Sequence, residues 1–496
     1  MTDKRAVIGI DIGTTSVKAI AFLIDGSMVV SSQSVYRHYH SQPDYAEQDP
    51  FEMRDAVWKV IRSTAAKTSH AGYQIAAISF SAVMHGLFAV NHAGMPLTAM
   101  MTWADTRSRS QAERIRQEMS NTLYLRTGTP LHPMLPLAKI MWLRDHHPDL
   151  FLPSNRFVSI KEWLMWLLTG KWSIDYSTAA ATGMFNLHTL YWDEDALRLT
   201  GITSDQLSEP VAVTKQFAIV DSALCDTLLL PASVPVIIGS SDGVLANVGS
   251  GVLTNDQLAV TVGTSGAIRT MVQEPWLDPL GRTFCYVLDQ THWVIGGATN
   301  SGGITLDWLQ KEWTQADQVA VSLEKIFTLA ESSSPGANGL LFFPFLNGER
   351  APFWNDQASG VLFGLRLSHQ KSDIVRAAIE GIVYTLYSIF QILSTTTTPN
   401  TIMASGGFTR SPVWRQLVAD VFGIALKTVQ NDESSCFGAA FLGFYALGDF
   451  SNWEEIQGCN QITNTHEPQQ SNTLQYHKHH LQFTELYHLI QPAFIK

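Results

Sequence analysis

Charge is scarce in this chain of 496 residues: Asp, Glu, Lys and Arg together make up 16%, against 45% hydrophobic residues. There is no block of Lys and Arg, and the net charge is −11. That balance excludes the basic footprint of a nucleic-acid or anionic-membrane binder. Cysteine is nearly absent as well. Cys225, Cys285, Cys436 and Cys459 lie far apart and match no metal-ligand spacing, so they read as reduced thiols in a reducing compartment. Long apolar runs are also missing: residues 382–393 carry polar interruptions and fall short of a bilayer span. The N-terminus passes from charge straight into a strand-like run, so no secretory leader is expected. What remains is an enzyme-sized, cytoplasmic globular chain. It is too long for one core, and roughly two to four domains are expected.

Against that background one stretch stands out, Val7-Ile8-Gly9-Ile10-Asp11-Ile12-Gly13-Thr14-Thr15-Ser16. An apolar β-branched run ends in an acidic residue, a glycine and hydroxyls, and a second apolar run over 17–23 returns at once, which reads as strand, turn, strand. Gly13 lets the backbone approach a ligand, and amides and hydroxyls can converge there on a phosphate. Asp11 is the kind of carboxylate that holds hydrated Mg²⁺ beside phosphate oxygens. An ordinary hairpin with a satisfied aspartate would look the same.

Further along, Pro50 opens a helix over 51–67. Residues 75–80 form a buried strand that breaks at Ser81-Ala82-Val83-Met84-His85-Gly86 before 87–90 resumes. Helices are expected near 138–144 and 160–168. A strand over 234–238 ends in Gly239-Ser240-Ser241-Asp242-Gly243. The opening theme then returns in Leu258-Ala259-Val260-Thr261-Val262-Gly263-Thr264-Ser265-Gly266, about half a chain away from Gly13. A strand-turn-strand unit duplicated once per half implies two similar α/β domains, with a ligand between two phosphate-gripping turns. A long helix over 373–393, a strand over 401–404 ending in Ser405-Gly406-Gly407 and a helix to 422 follow. Beyond about 448 the composition turns polar. The segment 481–490 reads as a peripheral helix, and His477-Lys478-His479-His480 as solvated surface.

Two longer patterns resemble the FGGY carbohydrate kinases. Met134-Leu135-Pro136-Leu137-Ala138-Lys139-Ile140-Met141-Trp142-Leu143-Arg144-Asp145-His146 is similar to the family's first signature. Gly360-Val361-Leu362-Phe363-Gly364-Leu365, continued by 373–380, is similar to the second. The resemblance spans about 6–450. It implies an α/β fold of two actin-like, ribonuclease H-like ATPase domains with a cleft between them. The N-terminal domain (1–248) would carry the acceptor sugar and the base, the C-terminal domain (249–450) ATP, and 451–496 a polar tail.

By the same resemblance Asp242 is the general base, although it would equally suit a helix cap. Asp11 is the Mg²⁺-side carboxylate. Gly13, Thr14, Thr15, Lys18, Gly263 and Thr264 surround the phosphates. Gly302, Gly303 and Asp307 line the nucleotide, and Gly406, Gly407 and Ser411 its adenosine side. Met84, His85, Gly86, Trp103, Asp105 and Met134 are carried over as acceptor contacts, each of which could instead be packing. Glu349 and Arg350 resemble a loop at the cleft, or form an internal ion pair.

Met84-His85-Gly86 in its context, with Thr102-Trp103-Ala104-Asp105-Thr106-Arg107 and Gly128-Thr129-Pro130-Leu131-His132-Pro133, most resembles the gluconate-kinase members. Xylulose-type and other polyol kinases are the alternative, and a non-catalytic actin-like protein the rival class. A gluconate carboxylate would want a cationic partner, for which Arg107, Lys139, Lys161 and His132 are candidates. The expected cofactors are ATP and Mg²⁺. The expected partner is a small sugar or sugar acid, with no nucleic acid and no membrane; a homodimer is compatible with the sequence.

Overall fold

The computed structural model describes residues 4–119, 121–317 and 322–494. The chain forms two compact units. The first comprises Met1–Leu253, Val272–Val294 and Glu433–Asn460, and the second Thr254–Met271, Ile295–Asp432 and Gln461–Lys496.

In the first unit a sheet runs in the order Gln216–Phe217, Val236–Ser241, Gln74–Ala82, Arg5–Ile12, Ser16–Phe22, Met28–Val35. Arg5–Ile12 pairs antiparallel with Ser16–Phe22 and parallel with Gln74–Ala82, which in turn runs parallel to Val236–Ser241. Alternation along the first strand divides its two faces. Ala6, Ile8, Ile10 and Ile12 join a core with Met53, Val57, Val60 and Ile61 of helix Pro50–His70. That helix begins where expected, because the Asp49 carboxylate accepts the Phe51 amide at 2.8 Å and Pro50 occupies the first position.

On the opposite face helix Ser434–Leu447 lies directly on the strand. A Cβ at Gly9 would sit 2.0 Å from the Cys436 carbonyl oxygen, and one at Gly438 would sit 2.2 Å from the carbonyl oxygen of Leu245 in helix Asp242–Gly249. Glycine at these crossings lets the backbones meet.

The second unit repeats the plan. Six of the seven strands of its sheet run in the order Trp293–Thr299, Gly266–Val272, Gln257–Val262, Thr401–Ser405, Ala425–Val429, Ile462–His466. Gln257–Val262 pairs antiparallel with the next strand in sequence and parallel with Thr401–Ser405, which is parallel to Ala425–Val429. The duplication read from Gly13 and Gly263 is therefore real at the level of topology.

The C-terminal region needs correction. Ile462–His466 is a sheet strand, and the last helix runs over Gln470–Ile490 rather than from 481. It buries Tyr476, His480, Phe483 and Tyr487; Tyr476, His480 and Phe483 meet Tyr384 or Tyr387 of helix Lys371–Leu393, while Phe483 also stacks on Phe343 and Tyr487 packs on Phe345 and Phe353. The histidine cluster is not solvated surface. His480 bonds Ser388 at 2.8 Å, and His477 lies 3.0 Å from both the Tyr387 hydroxyl and the Val421 carbonyl. Polar composition concealed a buried face made of aromatic and imidazole groups. No helix among the described residues is long and apolar enough to cross a membrane.

Candidate active site

In the first unit three parallel strands end side by side, with Asp11 in register with Ser81 and Ser81 with Ser240. The carboxyl edge of such a sheet is where α/β proteins place ligands. The Ser81 hydroxyl donates to Asp11 Oδ1 at 2.6 Å. Asp242 is the first residue of helix Asp242–Gly249, preceded by Ser241 at the cap, and its Oδ1 accepts the Gly243 amide at 2.7 Å. A helix N-terminus favours the ionised carboxylate there. Burial, and then the Asp242 charge, push Asp11 up to about 7 against the opposing effects of the Ser81 bond and Lys18. Lys18 is the cross-strand neighbour of Asp11, and its amine is ion-paired with Glu433. No sequence signal linked position 433 to position 18.

The turn after Asp11 is held from behind. The Gly13 amide donates to the Ser16 carbonyl at 3.0 Å. The carbonyls of Gly13, Thr14 and Thr15 accept, respectively, the Tyr36 hydroxyl, Gln48 Nε2 at 2.7 Å and the Tyr36 amide at 3.3 Å. Residues 36–48 thus take up the turn's carbonyl oxygens, groups that would repel an anion. The Thr14 hydroxyl accepts the Trp103 indole N–H at 3.0 Å.

The acceptor-side residues divide into two kinds. His85 is buried with φ +66°, and its Nδ1 lies 2.7 Å from the Ala181 carbonyl. A carbonyl only accepts, so the proton sits on Nδ1 and Nε2 is left as an acceptor in the neutral ring. Gly86 faces Met100, and Met134 is buried, its amide donating to His132 Nδ1 at 3.2 Å. Met84 is partly buried beside His85.

Asp105, by contrast, is fully buried and filled. It grips Arg107 with both oxygens, at 2.9 and 3.0 Å to Nε, and accepts the Ala46 amide at 2.8 Å. These bonds use its acceptor sites within the fold, so it organises the loop rather than offering oxygens to a hydroxyl. Among the cations expected to meet a carboxylate, Arg107 also bonds Glu47 at 2.6 Å and stacks on Tyr45. Lys161 is buried against Asp175 and the Ser240 carbonyl, and Lys139 donates to three carbonyls. Each is committed inside the fold.

In the second unit the Gly303 amide donates to the Gly263 carbonyl at 2.7 Å and the Ile304 amide to the Thr264 carbonyl at 3.1 Å, which joins helix Gly303–Asp317 to the repeated turn. A Cβ at Gly302 would lie 2.7 Å from the Ser265 backbone. Gly406, at φ +92°, packs on Val262 beside Gly263, and Gly407 has open space before it. Gly263, Thr264, Gly302, Gly303, Gly406 and Gly407 therefore gather at one strand edge, where a backbone rich in amides suits phosphate and nucleotide. Asp307 is exposed on the first turns of the helix. Ser411 caps helix Pro412–Phe422 by accepting the Trp414 amide at 3.3 Å. Glu349 is buried and accepts from Ser301, Thr299, the Asn300 amide and the Arg350 amide at 2.6–2.8 Å, so it shapes the turn leading into Gly302. Burial raises its pKa.

Among known proteins, the model of the FGGY carbohydrate kinase N-terminal domain matches residues 6–249 and that of the C-terminal domain residues 258–447. The chain is 42% identical over 482 residues to a gluconokinase of Bacillus licheniformis, covering 95% of this chain and 93% of the relative. It is 31% identical over 489 residues to a xylulose kinase of Staphylococcus epidermidis, covering 98% and 97%. A crystal structure of a gluconate kinase from Lactobacillus acidophilus superposes with a TM-score of 0.94 at 34% identity, over 99% of both chains. The family models cover both halves in order, and the strand-edge geometry repeats in each: the chain belongs to the FGGY family of carbohydrate kinases and is a phosphotransferase.

Proposed function

We propose that this kinase transfers the γ-phosphoryl group of ATP to the 6-hydroxyl of D-gluconate. The observation that carries the acceptor is the 42% identity to a gluconokinase along nearly the whole chain, against 31% to a xylulose kinase over a similar length. Fold alone does not separate polyol acceptors, because their discrimination depends on a few donors and acceptors in the first unit.

In this reading Asp242 takes the proton of the acceptor hydroxyl. Its place at the first position of a helix sets the carboxylate at the end of the strand, where such a base is needed. Thr14, Thr15, Gly263 and Thr264 cradle phosphates, Lys18 contributes charge beside them, and Gly302, Gly303, Asp307, Gly406, Gly407 and Ser411 line the nucleotide. His85, Trp103, Met84, Gly86 and Met134 shape the acceptor site, with Asp105 acting behind them through Arg107. Catalysis rests on positioning and on neutralising charge, as phosphoryl transfer requires.

The residues fit a Mg²⁺ ion of the shared kind. Asp242 is close enough for its charge to disfavour an ionised Asp11, while no group of three protein ligands exists among the described residues. That suits an ion held by one or two carboxylates, water and phosphate oxygens. When bound, it would neutralise phosphate charge.

The test is ADP formation with Mg²⁺-ATP over gluconate, xylulose, ribulose, glycerol and no acceptor, repeated with Asp242→Ala. Gluconate-dependent turnover that collapses in the variant supports acceptor and base together. Turnover on xylulose overturns the acceptor, and an active variant overturns the base.

A further inference from the structure

Lys139 sits on helix Pro136–His146 with no solvent exposure. Its amine donates to the carbonyls of Thr102 at 2.6 Å, His85 at 2.7 Å and Met101 at 3.4 Å. An ammonium has three donors and no acceptor, so these carbonyls saturate it. Among the described residues no carboxylate pairs with it; the Asp105 charge supports it from further off and Arg107 opposes it. A buried cation without an anion is costly, and burial holds this amine down at about 7. An apolar side chain of the same length would avoid that cost but withdraw the donor from these carbonyls.

The carbonyls show what the amine does. They belong to two separate segments, 84–86 and 101–103, which carry His85 and Trp103. His85 stands at φ +66°, a left-handed backbone that a non-glycine residue keeps only when its surroundings hold it. The bond from Lys139 to its carbonyl and the bond from its own Nδ1 to the Ala181 carbonyl both oppose its release. Trp103 follows directly on the Thr102 carbonyl and reaches the Thr14 hydroxyl. A single amine therefore ties the strained loop bearing the imidazole to the strand end bearing the indole.

We propose that Lys139 is the positioning residue of the acceptor site: by binding the carbonyls of residues 85, 101 and 102 it sets the spacing of His85 and Trp103, and so governs acceptor affinity without touching the acceptor. This rests on the reading that His85 and Trp103 face the acceptor. It also removes Lys139 from the cations that would meet a substrate carboxylate, since its donors are used.

The test is steady-state kinetics of the full-length enzyme on the acceptor the wild type turns over best. Lys139→Met keeps length and loses the donors. The expected result is an acceptor KM at least tenfold higher, with kcat within threefold and the KM for ATP within twofold of wild type. A folded Lys139→Met enzyme with an acceptor KM within twofold of wild type overturns the proposal, as does an equal rise in both KM values, which marks a general structural defect. Should Lys139→Met not accumulate as folded protein, Lys139→Arg carries the test. Its planar guanidinium cannot converge on three carbonyls as an ammonium does, so a tenfold rise in acceptor KM alone supports the assignment and an unchanged KM overturns it. Wild-type turnover on a polyol other than gluconate overturns the acceptor identity and leaves this comparison intact on that polyol.

Discussion

The indole N–H of Trp103 donates to the Thr14 hydroxyl at 3.0 Å. A residue that the family resemblance assigns to the acceptor thus touches the turn assigned to phosphate. That hydrogen bond joins the loop of Trp103 to the turn of Thr14 within the first unit.

Replacing Trp103 by Phe removes that bond while keeping an aromatic face. The expected outcome is a fall in kcat/KM of about tenfold, which corresponds to about 1.4 kcal/mol. Folding stability should change by no more than about 1 kcal/mol, the usual net value of one hydrogen bond. Steady-state assays and urea titrations on the same preparation measure both.

Asp11 carries the clearest pH signature. Its folded pKa is about 7, above its ordinary value of 3.8. Between those values the folded state keeps a proton that the unfolded state has lost, so stability falls as pH rises across that window and levels off above about 7. Asp11→Asn should flatten this decline and stabilise the ligand-free protein at pH 8 by about 1 kcal/mol, while lowering kcat by roughly 100-fold or more. Melting curves from pH 4 to 8 test the first effect and turnover the second.

The same carboxylate predicts a linkage to metal. On the proposed role of Asp11, Mg²⁺ binding would displace its proton below pH 7, so apparent Mg²⁺ affinity in the presence of nucleotide should weaken by about tenfold per pH unit there and level off above. Calorimetry in two buffers of different ionisation enthalpy would count the released proton. An affinity independent of pH removes Asp11 from the ion's coordination.

Lys161 and Asp175 form an ion pair with at most 1% exposure on either side chain, and Lys161 also holds the Ser240 carbonyl two residues before Asp242. Asp175→Asn leaves a buried charge uncompensated and should cost about 3–5 kcal/mol. Adding Lys161→Met should recover much of that in denaturant unfolding but not the lost turnover, because the strand end bearing Asp242 loses its tether.

His480 should make the second unit acid-sensitive. Burial first, and His477 next, hold its pKa down at about 4 against an ordinary 6.5. Its contribution is present above 6.5 and is lost as pH falls from 6.5 towards 4, where only the unfolded chain takes the proton. His480→Gln removes the titration and should flatten the acid limb of the stability profile, at a cost of about 1 kcal/mol at pH 8. An unaltered acid limb would place the sensitivity elsewhere.

Much of this was legible in the chain itself. The hairpin around Gly13, its repeat at Gly263, helix Pro412–Phe422 and the long helix ending at Leu393 follow from alternation, glycine-hydroxyl turns and proline starts, all of them local signals. The sequence hides the first half of the C-terminal helix, because Tyr476 and His480 look polar there, yet both lie inside. In sequence Asp105 has the character of a ligand to a sugar hydroxyl; in the fold Arg107 and Ala46 take its oxygens.

Sequence alone determined the repeated strand-turn-strand plan, the resemblance to the kinase family and the positions of the acidic and glycine-rich turns, because each is written in contiguous residues. Only the tertiary structure decided which charges are available and which are consumed. Glu433 reaches Lys18, Ser81 reaches Asp11, and Lys139 gathers carbonyls from two segments. Each of these pairs is distant in sequence, and whether a charged side chain meets substrate or serves the fold depends on the burial and partners that only long-range packing supplies.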